Sequence, residues 1–434
     1  MVSTHVWLSI RLVVLSLAFS PTTVWGSQPP SSQGASLPSP ALTLEEATRL
    51  ALDHNQALRA QRLNIDQSRA NEITAALKPN PVFSNVNEDL QIFNPSNLTL
   101  ENIRTNQEFA NSLSYTLERG GKRLKRVQVA QDNTDLTEKS VADSERQLRF
   151  QVAQAFINVL LSKSILQFAK DDLTNFEKVV ALNQSRMAAG DISEADYLKI
   201  SLQKLQFEQD VSAAEVALVQ GKAALRQLIG YETISEDFDV AGALTHGKNN
   251  VTRAELEKMA LLERPDYLAA QSAVKLANDT VTLALGNRAR DLTFEGEYKR
   301  NGTINGVGFG VSIEIPIHDR NQGEIARSRI AARQAVAAAE AVQMGVLTDI
   351  RSSYAGFRTS DQVASLYESG YLKQATDSRD ISNYAYQHGA ASLLDLLDAE
   401  RSYRAIQLAY RQALAASMSN IEQINFVVGK RVLQ

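Results

Sequence analysis

Two periods of apolar residues organise the chain. Between Leu148 and Val180 the spacing alternates four and three, through Leu148, Val152, Ala155, Val159, Ser162, Leu166, Ala169, Leu173, Phe176 and Val180. That is a heptad seam, the mark of a helix packed along another helix. One of its rows (Leu148, Ala155, Ser162, Ala169, Phe176) is mostly small, which lets neighbouring helices approach closely. No glycine or proline interrupts the 68 residues between Gly121 and Gly190, a length of roughly 100 Å at 1.5 Å per residue. A similar seam runs through the last segment, from about Ser392 to Val428, as Tyr403, Ile406, Tyr410, Leu414, Ile421, Ile424 and Val428.

The second period is two. In "GVGFGVSIEIPI", Val307, Phe309, Val311, Ile313 and Ile315 alternate with Gly308, Gly310, Ser312 and Glu314. In "DLTFEGEYK", Leu292, Phe294 and Tyr298 oppose Thr293, Glu295, Glu297 and Lys299. Leu113, Tyr115 and Leu117 likewise oppose Ser112, Ser114 and Thr116, with a less regular partner between Pro81 and Leu90. Strands of about ten residues with one apolar and one polar face suit a transmembrane β-barrel, and any single such hairpin also suits a half-buried soluble one. Two hairpins, each leading into a helix of about 100 Å, favour the membrane. Glu295, Glu297 and Glu314 then face an electronegative lumen.

The chain says much of this twice. Gly190 and Gly389, Ser193 and Ser392, Asp196 and Asp395, and Gly230 and Gly429 stand at one constant offset of 199 positions. "HNQALRAQ" (His54 to Gln61) parallels "RPDYLAAQ" (Arg264 to Gln271). Each half reads as a short helix, two strands, one very long helix, a glycine turn and a helix of about 38 residues. We expect a leader at 1–26, a Pro/Ser-rich linker at 27–41 and a first repeat at 42–230, with strands near 81–91 and 107–117. A connecting segment at 231–251 leads to a second repeat at 252–429, with strands near 291–300 and 306–316, and a short end at 430–434. Four strands cannot close a barrel, for which about eight is the usual minimum. Three copies would supply twelve strands and twelve helical strands.

Composition narrows the function. Aromatics make up 6% of the 434 residues and net charge is −4, so nothing points to nucleic acid. There is no cysteine, which excludes disulfides, thiolate metal sites and a lipid-anchored cysteine. The apolar stretch from Leu12 to Phe19 is too short to span a bilayer and reads as a secretory leader cut after Gly26, against a buried helix or a retained anchor. No later segment is an uncharged apolar run of spanning length. His54, His246, His318 and His388 share no metal-ligand spacing, so no metal site is assigned. No nucleophile triad, nucleotide loop or isolated carboxylate pair supports an enzyme, and no cofactor is expected. "GGKRLKR" (Gly120 to Arg126) lacks the phosphate-loop pattern and reads as solvated charge at the sheet-to-helix junction. Asp196, Asp395 and Asp398 follow glycine turns. They read either as first-turn acids that cap a helix and offset its dipole or, in a threefold assembly, as carboxylate rings that favour cations. Close rings would raise some carboxylate pKa values.

Four phrases carry a resemblance: "LTLEEATRLALDHNQAL", "LERGGKRLKRVQVAQ", "DRNQGEIARSRIAAR" and "LLDLLDAERSY". In this order, and with the internal repeat, they resemble the outer-membrane efflux proteins, the TolC-like channels, and most of all their CzcC-like cation-efflux branch. The resemblance runs from Leu42 to Gly429. It implies a mainly α fold with transmembrane β: a homotrimer with a twelve-stranded barrel in outer-membrane lipid and a long periplasmic α-helical barrel. It implies a passive exit duct served by a periplasmic adaptor and an inner-membrane pump of the RND type, and carrying heavy-metal cations; the absence of cysteine makes a lipoprotein unexpected. Drug efflux and type I protein secretion stay open, as does, more remotely, an exported coiled-coil scaffold or adhesin. The resemblance places a periplasmic gate at Asp395, Asp398 and Tyr386. It places helix-turn tips and adaptor contacts at Arg186, Gly190, Ser193, Asp196, Gly389 and Ser392. The family's latch arginine is replaced by Ala391, which leaves Asp196 without its usual partner. Gln56 stands where the family usually has proline, and Glu118-Arg119 where it favours Glu-Leu.

Overall fold

The computed structural model describes residues 41–88, 99–247 and 250–433, with Phe93 and Ser96. The expected leader, nearly all of the linker, residues 89–91 of the first strand expectation and Gln434 lie outside the described residues.

Both repeats open in the same way. Thr43 and Glu46 form a capping box at the start of α1 (Leu44–His54), and Thr252 and Glu255 form another at the start of α6 (Arg253–Glu263). Each box satisfies two backbone donors that a helix start leaves without partners. Each opening helix has 11 residues and then breaks. Asn55 ends α1 in an extended conformation and caps α2 (Gln56–Ala76); Pro265 begins α7 (Pro265–Gly286) one residue after α6 ends. The single short helix expected in each half is therefore two, because Asn55 and Pro265 favour helix starts over helix interiors.

Four antiparallel strands form one sheet in the order β1 (Val82–Glu88), β2 (Glu108–Leu117), β3 (Leu292–Asn301), β4 (Ile304–Ile313). A short helix, α3 (Leu100–Asn106), precedes β2. The β2–β3 pairing joins the two repeats. The register lines up Phe83, Leu113, Gly296 and Phe309 across all four strands, and Tyr115, Phe294 and Val311 across three. It sets Ser84, Ser112, Glu297 and Gly308 in the alternate row. The two-residue alternation thus gives an apolar and a polar face over β2, β3 and β4, whereas β1 departs from it, with Asn85 and Asn87 on the apolar face and Val82 and Val86 on the polar one.

The long helix α4 (Lys122–Ala189) spans 68 residues and is followed by α5 (Glu194–Ile229). Its seam is covered: Leu148, Val152, Val159, Ser162, Ala169 and Phe176 are buried. An 18-residue window of α4 has mean hydropathy 1.3, and half of that window is already buried. Those apolar side chains serve helix packing. The second half differs from expectation. Where one very long helix was expected, α8 (Gln322–Leu366) ends in a π turn (Tyr367–Tyr371) and α9 (Leu372–Gln387) continues from it. Gly370 causes the break with φ of 141°, a conformation that side-chain-bearing residues avoid. The last helix, α10 (Leu393–Val428), has 36 residues, as does α5.

Two main cores follow the duplication. One gathers Val152, Phe156, Leu225, Ile229 and Phe238; the other gathers Leu256, Val346, Ile350, Phe357, Ile424 and Val428. Fully burying each large apolar side chain is worth about 1.5–3 kcal/mol, enough to hold both repeats without disulfides. Leu42 bridges to Val240 and so ties the start of the first repeat to the connecting segment. Smaller clusters stabilise the far ends of the helices, including Phe176 stacked on Phe207 at 4.3 Å.

Candidate functional site: helix tips and strand acids

The two glycine turns are built alike. Gly190 (φ 85°) donates to Met187 O, and the next amide, Asp191, donates to Arg186 O. Gly389 (φ 73°) donates to Tyr386 O, and Ala390 donates to Ala385 O. Both are Schellman closures. A Cβ would meet nothing within 4 Å at either glycine, so left-handed backbone alone requires them.

Beyond each turn a serine caps the return helix. The Asp196 amide donates to Ser193 Oγ at 3.1 Å, and the Ser193 hydroxyl donates to Asp196 Oδ2 at 2.9 Å. At the second tip the Asp395 amide donates to Ser392 Oγ at 3.3 Å, while the Ser392 amide and hydroxyl donate to Asp395 Oδ2 at 2.9 and 2.7 Å. The Ser392 hydroxyl, then its amide, holds the Asp395 carboxyl below its ordinary pKa. Lys199 (3.0 Å away), then Ser193, does the same for Asp196. These shifts belong to the single protomer and run opposite to the rise expected of close carboxylate rings. Asp398 is exposed and meets Arg401 at 3.1 Å. Within the protomer Asp395 thus completes a capping box with Ser392, Asp196 is held by the Ser193 hydroxyl and Lys199, and Asp398 takes no part in capping.

Tyr386 is buried, at 6% exposure. Its hydroxyl donates to Asn183 Oδ1 at 2.6 Å, and Asn183 is itself fully buried and donates to Val179 O. Arg186 lies 5.4 Å over the Tyr386 ring and donates to its carbonyl at 3.4 Å. Burial raises the Tyr386 phenol pKa against the opposing pull of Arg186. The two helix tips are thereby joined through Tyr386. Ala391 packs on the cluster of Val179, Tyr386 and Leu396, so an apolar contact occupies the expected latch position. Sequence reasoning missed Asn183, although it is the next heptad position after Val180.

On the sheet, Glu295 pairs across with Ser114 and Gly310, and Glu297 with Ser112 and Gly308. Glu314 lies one residue past the end of β4, and Arg290 binds it at 3.2 Å. It is a junction residue, where a strand acid was expected. Lys299 and Glu108 form an ion pair on the same polar face. The opposite face is bare: Phe309 is 92% exposed and Val307 75%.

Two further charge groups lay outside the sequence expectations. Asp172, nearly buried, meets Arg404 Nε at 3.0 Å, and Arg404 also pairs with Asp210. Burial raises the Asp172 pKa and lowers that of Arg404, so loss of water outweighs the pairing for both. Nearby Glu400 is pushed up to about 7 by burial, then by Asp172. His246, in the connecting segment, accepts or donates to Asp361 at 2.9 Å and Glu368 at 3.1 Å, beside the π turn. Among the described residues no three His, Asp or Glu side chains converge as metal ligands.

Comparison with known proteins agrees with this architecture. The chain is similar to the cobalt-zinc-cadmium resistance protein CzcC of Cupriavidus metallidurans, 24% identical over 391 residues and covering 90% of each chain. It is similar to the probable outer membrane lipoprotein SilC of Salmonella typhimurium, 24% identical over 380 residues, 82% of this chain and 79% of that one. Among solved structures, CusC superimposes with a TM-score of 0.74 at 21% identity, over 89% of this chain and 92% of that one. The family described as "Outer membrane efflux protein" matches residues 47–231 and 256–430, one stretch for each repeat. The chain belongs to the outer membrane efflux protein family, the non-enzymatic channels of the outer membrane.

Proposed function

We propose that three copies of this chain form the exit duct of a tripartite efflux system that carries heavy-metal cations. The observation that carries this reading is the sheet. Among the described residues its outer strands β1 and β4 each keep one edge unpaired, and its apolar face is uncovered. An isolated sheet of this kind is an aggregation hazard in water. Pairing β4 of one copy with β1 of the next satisfies both edges, closes twelve strands and turns the apolar face to lipid.

Below the barrel, α4, α5, α8 with α9, and α10 would supply twelve helical strands to a periplasmic tube. The exposed turns at Gly190, Ser193, Gly389 and Ser392 are the surface offered to a periplasmic adaptor, which links the duct to an inner-membrane pump of the RND type. Arg186 is held against Tyr386 and contributes mainly to the tip itself. Asp395 and Asp398, three of each, would form the gate. Metal cargo is supported by the names of the relatives CzcC, a cobalt-zinc-cadmium resistance protein, and CusC, of a cation efflux system, and by the acids Glu295 and Glu297 on the polar face.

The test is a host strain lacking this gene but retaining its pump. It should lose tolerance to cobalt, zinc or cadmium ions and keep tolerance to lipophilic dyes. Loss of dye tolerance alone would assign the duct to drug efflux, and unchanged tolerance to both would sink the cargo reading.

A further inference from the structure

The basic run Gly120–Arg126 has no task in the duct, and the fold brings three other segments beside it. All four passages between sheet and helices leave the same end of the sheet: residues 77–81, 118–126, 287–291 and 314–321. They hold nine lysines and arginines against four carboxylates. Three cations use all four acids: Lys122 with Asp291 at 2.8 Å, Arg126 with Glu118, and Arg290 with Glu314 at 3.2 Å and Asp319 at 4.0 Å. Lys125 lies across Gly286. Among the described residues the other five meet no carboxylate. Arg123 and Arg320 hold only backbone carbonyls, of Ala76 at 3.5 Å and Pro316 at 3.4 Å. Lys78, Arg119 and Arg288 are exposed, and their side chains bind no described group.

These cations are interleaved with bare apolar side chains. Leu77, Leu124, Ile315 and Ile317 are between 61% and 74% exposed in the same segments. Leu117, Leu292 and Ile313 form the last row of the apolar sheet face, and Arg119 follows Leu117 by two residues. Purely solvated charge would not need leucine and isoleucine set among it. Uncovered apolar groups beside unneutralised cations fit a bilayer boundary, where stems lie in the apolar zone and cationic heads reach phosphate.

We propose that this rim binds anionic glycerophospholipid headgroups at the periplasmic boundary of the outer membrane. The inference rests on reading the strands as a membrane barrel. Each cation near an anionic surface contributes about a fivefold factor in binding, and salt screens that attraction.

The test uses the full chain, purified in neutral detergent and given equal amounts of palmitoyl-oleoyl phosphatidylglycerol or phosphatidylcholine. Lipid retained through gel filtration is then measured. Phosphatidylglycerol should be retained at least about threefold better at low salt, and the preference should collapse at about 500 mM salt. The variant combining Lys78→Gln, Arg119→Gln, Arg123→Gln and Arg288→Gln should lose the preference and keep its oligomeric mass. Should that variant fail to assemble, the salt response of the wild type and a variant with Arg119→Lys, Arg123→Lys and Arg288→Lys decide the matter, the latter keeping the preference. Inorganic phosphate should not displace the lipid. Equal retention of the two lipids, displacement by inorganic phosphate, or a preference that survives in the Gln variant overturns the inference. So does stronger competition by lipopolysaccharide, which belongs to the other leaflet. Failure of the wild type to enter phospholipid vesicles at all would instead overturn the barrel reading.

Discussion

At the scale of single residues, the two aspartates at the head of α10 have different work. Asp395 closes a capping box with Ser392, whereas Asp398 is exposed and tied only to Arg401. Asn at Asp395 should therefore weaken the start of α10 by weakening the reciprocal bonds to Ser392, and Asn at Asp398 should leave it unchanged. If both line the gate, divalent or trivalent cations added from the periplasmic side of a planar bilayer should block the wild type and block the double Asn variant far less. Unchanged block would confine both residues to local helix roles. Tyr386 offers a second residue-scale prediction. Tyr386→Phe leaves the fully buried Asn183 Oδ1 without its donor, a loss of about 1–3 kcal/mol. Single-channel conductance should rise as the joined tips loosen, and conductance equal to wild type would deny Tyr386 a role in closure. The capping serines and turn glycines were legible because such motifs need specific residues at fixed local spacing. The Tyr386–Asn183 contact was not, since it joins residues 203 positions apart and no local pattern encodes such a contact.

Helices and strands show the same division. The absence of glycine and proline between Gly121 and Gly190 marked α4 to its ends, because a helix needs only local permission to continue. The break at Gly370 was hidden. Gly345 and Gly356 lie uninterrupted within α8, so a lone glycine in the sequence does not say which turn will open. The buried charges between α4, α9 and α10 were equally invisible, each being an ordinary helix residue in isolation. They carry a pH prediction. Glu400 faces Asp172, Arg379 and Asp380, and its folded-state pKa is raised from 4.5 to about 7. The folded chain then binds the proton more tightly than the unfolded chain, so this contribution is present below about pH 4.5 and is lost as pH rises to about 7. The loss is on the order of 2–3 kcal/mol per protomer after discounting the full shift for partial solvation. Glu400→Gln should raise the melting temperature at pH 8 and flatten its dependence on pH between 5 and 8, as read by calorimetry. A profile identical to wild type would contradict the burial argument. In the sheet, Phe309→Lys should prevent membrane assembly, because a cation at mid-bilayer costs about 2–4 kcal/mol. Glu297→Lys should assemble and shift ion selectivity toward anions. Equal assembly defects in the two variants would refute the assigned faces.

For the whole molecule, duplication and incompleteness are the governing facts. The repeat was readable as a constant offset, and its physical expression is a capping box at the start of each repeat, two Schellman turns and two apolar cores. What no pattern along one chain displays is closure: in the proposed trimer the groups that satisfy β1 and β4 lie on other copies. The proposed trimer rests on that point: among the described residues the four-stranded sheet has two open edges and an uncovered apolar face, which pairing with identical copies would satisfy. Amine-reactive crosslinking of the detergent-solubilised full chain, followed by denaturing electrophoresis, measures it most directly. We predict a covalent ladder that ends at three chains. A ladder that stops at two, or protein that stays monomeric at saturating crosslinker, would contradict the trimeric barrel.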